Sequence, residues 1–246
     1  MSKRLEDSRK LLDYIYSKIP ETKGCMEHIS KPVSEGGCGA WCCQTQNPQV
    51  LYVEFRNAWN NVQENWSDQD IIELVRRSLR AYLFASERDG CVFWDRETKM
   101  CSHHETRPFN CRVYGITPEE EWRPRYERLK VIYPDTREQC NLVSTADGSE
   151  FTKKKSDSLW NMLKNAEKTI GVRPSDIHDD FGGSYRRYYE HVILHLMGDE
   201  GMEMLSQVRE HGSNDEKEGV IKAALDGLIK MKETANVGAT SDDSDG

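Results

Sequence analysis

Eight cysteines constrain this chain more than any other feature: Cys25, Cys38, Cys42, Cys43, Cys91, Cys101, Cys111 and Cys140. All lie in the first 140 of 246 residues, and the remaining 106 contain none. The beginning, Met1-Ser2-Lys3-Arg4-Leu5-Glu6-Asp7, lacks the apolar stretch of a secretory signal. No apolar run approaches the roughly 20 residues that a membrane span requires. The expectation is therefore a cytoplasmic chain with no membrane attachment. Cytosolic thiols are kept reduced, and a chain of this length does not need disulfide staples to fold. Clustered cysteines in a reducing compartment read instead as metal ligands or redox groups.

The rest of the sequence reads as helices around two irregular, cysteine-rich stretches. Leu5, Leu12, Ile15 or Tyr16, and Ile19 make one stripe over residues 3–19, ended by Pro20 and Gly24. From 24 to 47 the pattern dissolves into Gly, Ser, Pro and Cys, including Gly36-Gly37-Cys38-Gly39, a chain able to wrap a metal. Leu51, Phe55, Ala58, Trp59 and Val62 predict a helix over 49–64. Ser67 caps another over 68–86, with Ile71, Val75, Leu79 and Tyr82 facing inward. Periodicity is lost again over 90–116, where Cys91-Val92-Phe93-Trp94 and Met100-Cys101-Ser102 flank a polar connection suited to a short β-hairpin. Thr117-Pro118-Glu119-Glu120 is a helix start, with Thr117 as cap.

Beyond it, Leu159, Leu163, Ala166 and Ile170 form a stripe closed by Gly171. Its start is expected at Ser156 or Asp157, because Lys153-Lys154-Lys155 would oppose the helix dipole. Tyr185, Tyr188, Val192 and Leu196 form another stripe, and Ile221, Leu225 and Leu228 a third. Asp179-Asp180 before Phe181-Gly182-Gly183 reads as a turn between helices. The fold class is mainly α: a helical bundle with an irregular cysteine-rich metal-binding segment and room for one hairpin. Residues 1–150 form the cysteine-rich domain, 151–234 a helical region packed on it, and 235–246 a disordered acidic tail.

Charge argues against nucleic acid as a partner. Lys and Arg number 34 against 42 Asp and Glu, a net of −8, where a phosphate-binding surface calls for a basic excess.

Cys38-Gly39-Ala40-Trp41-Cys42-Cys43 places three thiols within six residues, and nine residues separate Cys91 from Cys101 and Cys101 from Cys111. Thiolates are soft donors that suit zinc and iron–sulfur clusters, and a cation offsets the cost of gathering several anionic sulfurs. Adjacent side chains diverge in an extended chain, so Cys42 and Cys43 would serve different metals or different faces of one cluster. A radical-SAM loop starting at Cys38 fails, because its third cysteine position is Thr45. Other candidates are plainer. His103 and His104 read as solvated hairpin residues. His191 and His195 share a helical face but lack the glutamate of a zinc-protease motif, since Val192 stands in its place, and read as structural.

The vicinal cysteines, followed by Cys91, Cys101 and then Arg107-Pro108-Phe109-Asn110-Cys111-Arg112-Val113-Tyr114, resemble the CxxCxxCC, or YkgJ-like, cysteine-cluster family. The resemblance covers about residues 24–116. The family commonly has a cysteine two or three residues before the equivalent of Cys38, whereas here Cys25 lies thirteen positions upstream; Cys140 falls outside the motif. The resemblance implies an iron–sulfur or zinc protein. Some longer relatives are linked to lysine methylation of flagellin, a role that no motif here supports on its own.

Four thiolates satisfy either zinc or an iron–sulfur cluster, but no tight Cys-x2-Cys knuckle pair is present, and scattered cysteines around a vicinal pair suit a cluster better. The reading is one or two iron–sulfur centres, of the 4Fe-4S kind, with zinc as the alternative. Cys38, Cys42, Cys43, Cys91, Cys101 and Cys111 are the leading ligands, Cys25 the next and Cys140 the last. Arg107 and Arg112, beside Cys111, are placed to hydrogen-bond cluster sulfur or a bound anion, or to pair with Glu105 or Glu119. Two functions follow: an oxidoreductase or a protein-modifying, methylase-like enzyme working with an electron donor or protein partner, or a zinc-stabilised interaction module without catalysis.

Overall fold

In a computed structural model the chain is described over residues 3–24, 31, 35, 41–45, 47–84, 90–98, 100–132, 140, 142–169 and 185–239. Helices dominate, in the order α1 (Lys3–Tyr16), α2 (Trp41–Thr45), α3 (Tyr52–Asn65), α4 (Asp68–Leu83), α5 (Phe109–Arg112), α6 (Glu119–Ile132), α7 (Lys153–Thr169), α8 (Tyr188–His211) and α9 (Asn214–Ala239). Two-residue strands tie distant stretches together. β1 (Thr22–Lys23) pairs antiparallel with β3 (Ser144–Thr145), and β2 (Gln49–Val50) with β4 (Arg186–Arg187). The mainly α fold read from the sequence is the one observed. The hairpin is present in minimal form: Trp94 and Cys101 make one antiparallel bridge, flanked by Asp95 N–H to Met100 O and Ser102 N–H to Phe93 O, both 2.9 Å. Among the described residues no helix is long and apolar enough to cross a membrane.

The amphipathic stripes become two apolar clusters with α3 between them. In the first, Phe55, Ala58, Trp59 and Val62 of α3 meet Leu74, Val75 and Leu79 of α4, the segment Cys91–Phe93, and Tyr188, Val192, Ile193 and Leu205 of α8. In the second, Val53 joins Leu12 and Ile15 of α1, Phe109 and Val113 around α5, and Leu159, Leu163 and Ala166 of α7. Fully burying such aliphatic and aromatic side chains contributes about 1.5–3 kcal/mol each.

Several helix ends differ from expectation. Helix α7 begins at Lys153 rather than Ser156 or Asp157: the Thr152 hydroxyl accepts from Lys155 N–H at 3.4 Å, and Lys153 pairs with Asp157 at 2.9 Å. A long cap contact and an i,i+4 pair together offset an unfavourable dipole contact, each worth about 1 kcal/mol or less. The Thr117 hydroxyl, just ahead of α6, donates backward to Val113 O at 2.9 Å. Helix α8 is broken at Gly198, whose φ of 68° only glycine adopts cheaply. Its buried face includes Tyr189, His191 and Ile193, while Leu196 stays exposed. Helix α9 runs to Ala239, into the stretch expected to be a disordered tail from 235; residues 240–246 lie outside the described ones, as do Ile170, Gly171 and the Asp179–Gly183 turn.

Candidate metal centre

Three stretches carry five of the six described thiols toward one region. Cys42 and Cys43 sit on α2, Cys91 and Cys101 on the two arms of the hairpin, and Cys111 on α5. Helix α2 and the hairpin are joined by a backbone bond of 2.6 Å from Cys91 N–H to Cys43 O. Gly90 makes this approach possible. Its φ is +71°, and a Cβ there would fall 2.6 Å from both Cys43 O and Gln44 O.

On the other side, Glu54 of α3 fixes α5. Its buried carboxylate accepts from Phe109 N–H at 2.7 Å, from the Tyr16 hydroxyl at 2.7 Å and from Leu51 N–H at 3.1 Å. Burial raises the Glu54 pKa, and these three donors and Arg112 oppose that rise. Negative charge at the first turn of a helix is favourable, so one side chain settles both the start of α3 and that of α5.

The Cys42 and Cys43 sulfurs are 3.9 Å apart. The vicinal pair is therefore close enough to address one centre, where the divergence of an extended chain would separate it. The five thiols act on one another. A hydrogen bond to Cys101 is the main reason that the Cys43 thiol stays protonated, with the bond to Cys42 next. The same contacts lower their partners: Cys42 falls to about 7, and Cys101 also falls below the ordinary thiol value. Burial pushes Cys91 up to about 12, helped by the charge of Cys101. Burial also holds Cys111 well above its usual range, with Cys91, Cys101 and Cys42 adding to it. Such a set resists full ionisation unless a cation is present to balance it.

None of the six described cysteines is in a disulfide. Among the described residues no three Cys, His, Asp or Glu side chains already stand in a metal-holding group. The sulfurs are gathered, not closed around one point. Cys25 and Cys38 lie outside the described residues. Cys140 is half-buried with its carbonyl against Gly115, and its thiol is not among the leading influences on the other five. The donor chemistry fits a thiophilic metal: buried, mutually repelling soft sulfurs on a scaffold that brings them near one another without bonding them in pairs.

The two arginines divide their work. The charge of Arg107 favours the thiolates of Cys42, Cys101 and Cys111. Arg112 instead donates to Arg107 O at 2.7 Å and Glu105 O at 2.6 Å, and stacks over Tyr16 with its guanidinium 4.3 Å from the ring centre. It braces the loop that carries Arg107. Glu119, one of the expected ion-pair partners, is bonded to Arg123.

His103 is not a solvated hairpin residue. It is buried, stacked on Phe93 with ring centres 4.5 Å apart, and burial lowers its pKa to about 3. His104 is half-buried. His191 is a core residue whose Nε2 lies 3.0 Å from Val50 O and whose ring stacks on Phe55. Glu54 and Gly90 were not legible as site residues. The signals available were a glutamate three positions after Leu51, the residue just before α3, and an Asp-Gly pair directly before Cys91.

Residues 35–129 match the family model for CxxCxxCC, described as "Putative zinc- or iron-chelating domain". The match spans the vicinal cysteines, the hairpin and α5, and supports metal binding by this segment. Comparison with curated proteins and with solved structures gives no match.

Proposed function

We propose that this chain is an iron–sulfur protein, its cluster held by thiolates of Cys42, Cys43, Cys91, Cys101 and Cys111, joined by Cys38 and, in second rank, Cys25. One observation carries the reading: five thiols from three separate stretches interact in a single region. A mononuclear structural zinc takes four ligands, so a fifth thiolate exceeds its need. When bound, such a cluster supplies one-electron transfer or activation of an attached group, which suits a redox or protein-modifying role with a protein electron donor.

The chain's own part is to hold and charge-balance the sulfurs. Arg107 supplies positive charge beside three of them, Glu54 fixes the segment of Cys111, and Gly90 lets the hairpin close on α2. A compartment that keeps thiols reduced suits this set, because the same cysteines would otherwise be open to oxidation.

Zinc, named in the description of the matched domain, defines the competing reading of a saturated structural site that serves partner binding. Purification without oxygen separates the two. The cluster reading expects a coloured protein with iron and acid-labile sulfide in comparable amounts, bleached reversibly by a chemical reductant. A colourless protein with stoichiometric zinc and no sulfide defeats it in favour of the structural site.

A further inference from the structure

Tyr188 opens α8 and lies well outside residues 35–129. It is 1% exposed, yet its hydroxyl oxygen has no hydrogen-bond partner among the described residues. A buried hydroxyl left unsatisfied costs about 1–3 kcal/mol, and a phenylalanine would pack the same ring without that cost. The ring is wedged edge-on against Phe93 at 4.8 Å and against His103 at 6.0 Å, in the hairpin that also carries Cys91 and Cys101. Cys111, Glu54, Cys91 and Cys101 weigh most on the hydroxyl, and Tyr16 and Arg112 also act on it. Glu54 already accepts from Tyr16, Phe109 and Leu51, and Arg112 carries only donors, which leaves the three thiols as sulfur acceptors for the hydroxyl.

We infer that Tyr188 belongs to the metal centre: its hydroxyl donates a hydrogen bond to a cysteine thiolate, or to a sulfide bound among them, once the site is loaded. The inference rests on the metal-binding reading above and adds a residue from the C-terminal helices to a site otherwise built from the cysteine-rich segment. A hydrogen bond to a ligand sulfur stabilises its thiolate form, fixes its orientation and tunes the potential of a cluster, and outer-shell contacts of this kind support metal retention. Tyr188 is in this sense a positioning and tuning residue.

The test compares wild type, Tyr188→Phe and Tyr189→Phe as full-length chains purified without oxygen. In the metal-free state Tyr188→Phe is expected to resist urea as well as wild type or better, because an orphaned hydroxyl is gone. In the loaded state it should surrender metal to a competing chelator about tenfold more readily, the lower end of outer-shell effects, with a shifted sulfur-to-metal absorption band where the metal is iron. Tyr189→Phe, whose hydroxyl is bonded to Arg187 at 2.7 Å, should match wild type in both metal readouts. A merely structural role predicts the reverse, a weakened metal-free protein and unchanged metal retention, and either result overturns the assignment. Unchanged retention in Tyr188→Phe beside a metal-loaded wild type defeats Tyr188 alone. A wild type that takes up no metal defeats the metal reading and the assignment with it.

Discussion

At the scale of single residues, the thiol region depends on atoms that carry no metal chemistry. Gly90 is the clearest case. An alanine there needs a left-handed backbone and presses on two carbonyl oxygens of α2. Gly90→Ala is expected to cost about 2–4 kcal/mol in chemical denaturation, from the strained φ plus overpacking, and to lower metal uptake in parallel. Unchanged stability and uptake would show that the hairpin does not need this close approach.

A pH effect follows from the buried imidazoles. Burial, reinforced by the charge of Arg56, holds the pKa of His195 below its usual 6.5, and burial does the same for His103 and His104. A group whose pKa is depressed on folding contributes stability that is present above its unfolded value and lost as pH falls below it. Urea midpoints should therefore drop between pH 7 and pH 5.5, and His195→Gln should show a shallower drop than wild type. Equal slopes would remove His195 from the explanation.

At the scale of elements, the helices were legible because each long stripe of apolar residues finds a partner stripe. Leu12 and Ile15 meet Leu159 and Leu163, and Leu74 and Leu79 meet Val192 and Leu205. Helix ends were less legible: the lysine run argued for a later start of α7, while Thr152 just before it accepts from Lys155 N–H. Polar ties between elements were not legible at all, because their partners are far apart in sequence. Glu167 of α7 is fully buried and accepts from Tyr52 N–H at 2.9 Å and Val53 N–H at 2.7 Å, capping α3 from another helix. Glu167→Ala leaves both amides without that acceptor and should lower stability by roughly 3 kcal/mol, read from denaturant midpoints. A loss below about 1 kcal/mol would mean that water replaces the carboxylate and that α3 is not anchored this way.

At the scale of the whole molecule, the cysteine-rich segment shares its core with the later helices. Cys91 and Phe93 pack in the same cluster as Tyr188, Val192 and Leu205, and Phe109 packs with Leu159 and Leu163. The sequence showed which residue types would gather, because clustered cysteines read as metal ligands or redox groups. It could not show that Glu54 holds the Cys111 segment or that Tyr188 reaches the same region, since one looks like a surface helix residue and the other like a core aromatic. The central claim is that sulfur from α2, the hairpin and α5 surrounds one inorganic centre. X-ray absorption at the metal edge of the anaerobically purified chain tests it most directly. The account predicts a nearest shell of sulfur at about 2.3 Å, as for cysteinate ligands, with iron neighbours at longer range. A shell dominated by nitrogen and oxygen at about 2.0–2.2 Å would contradict it.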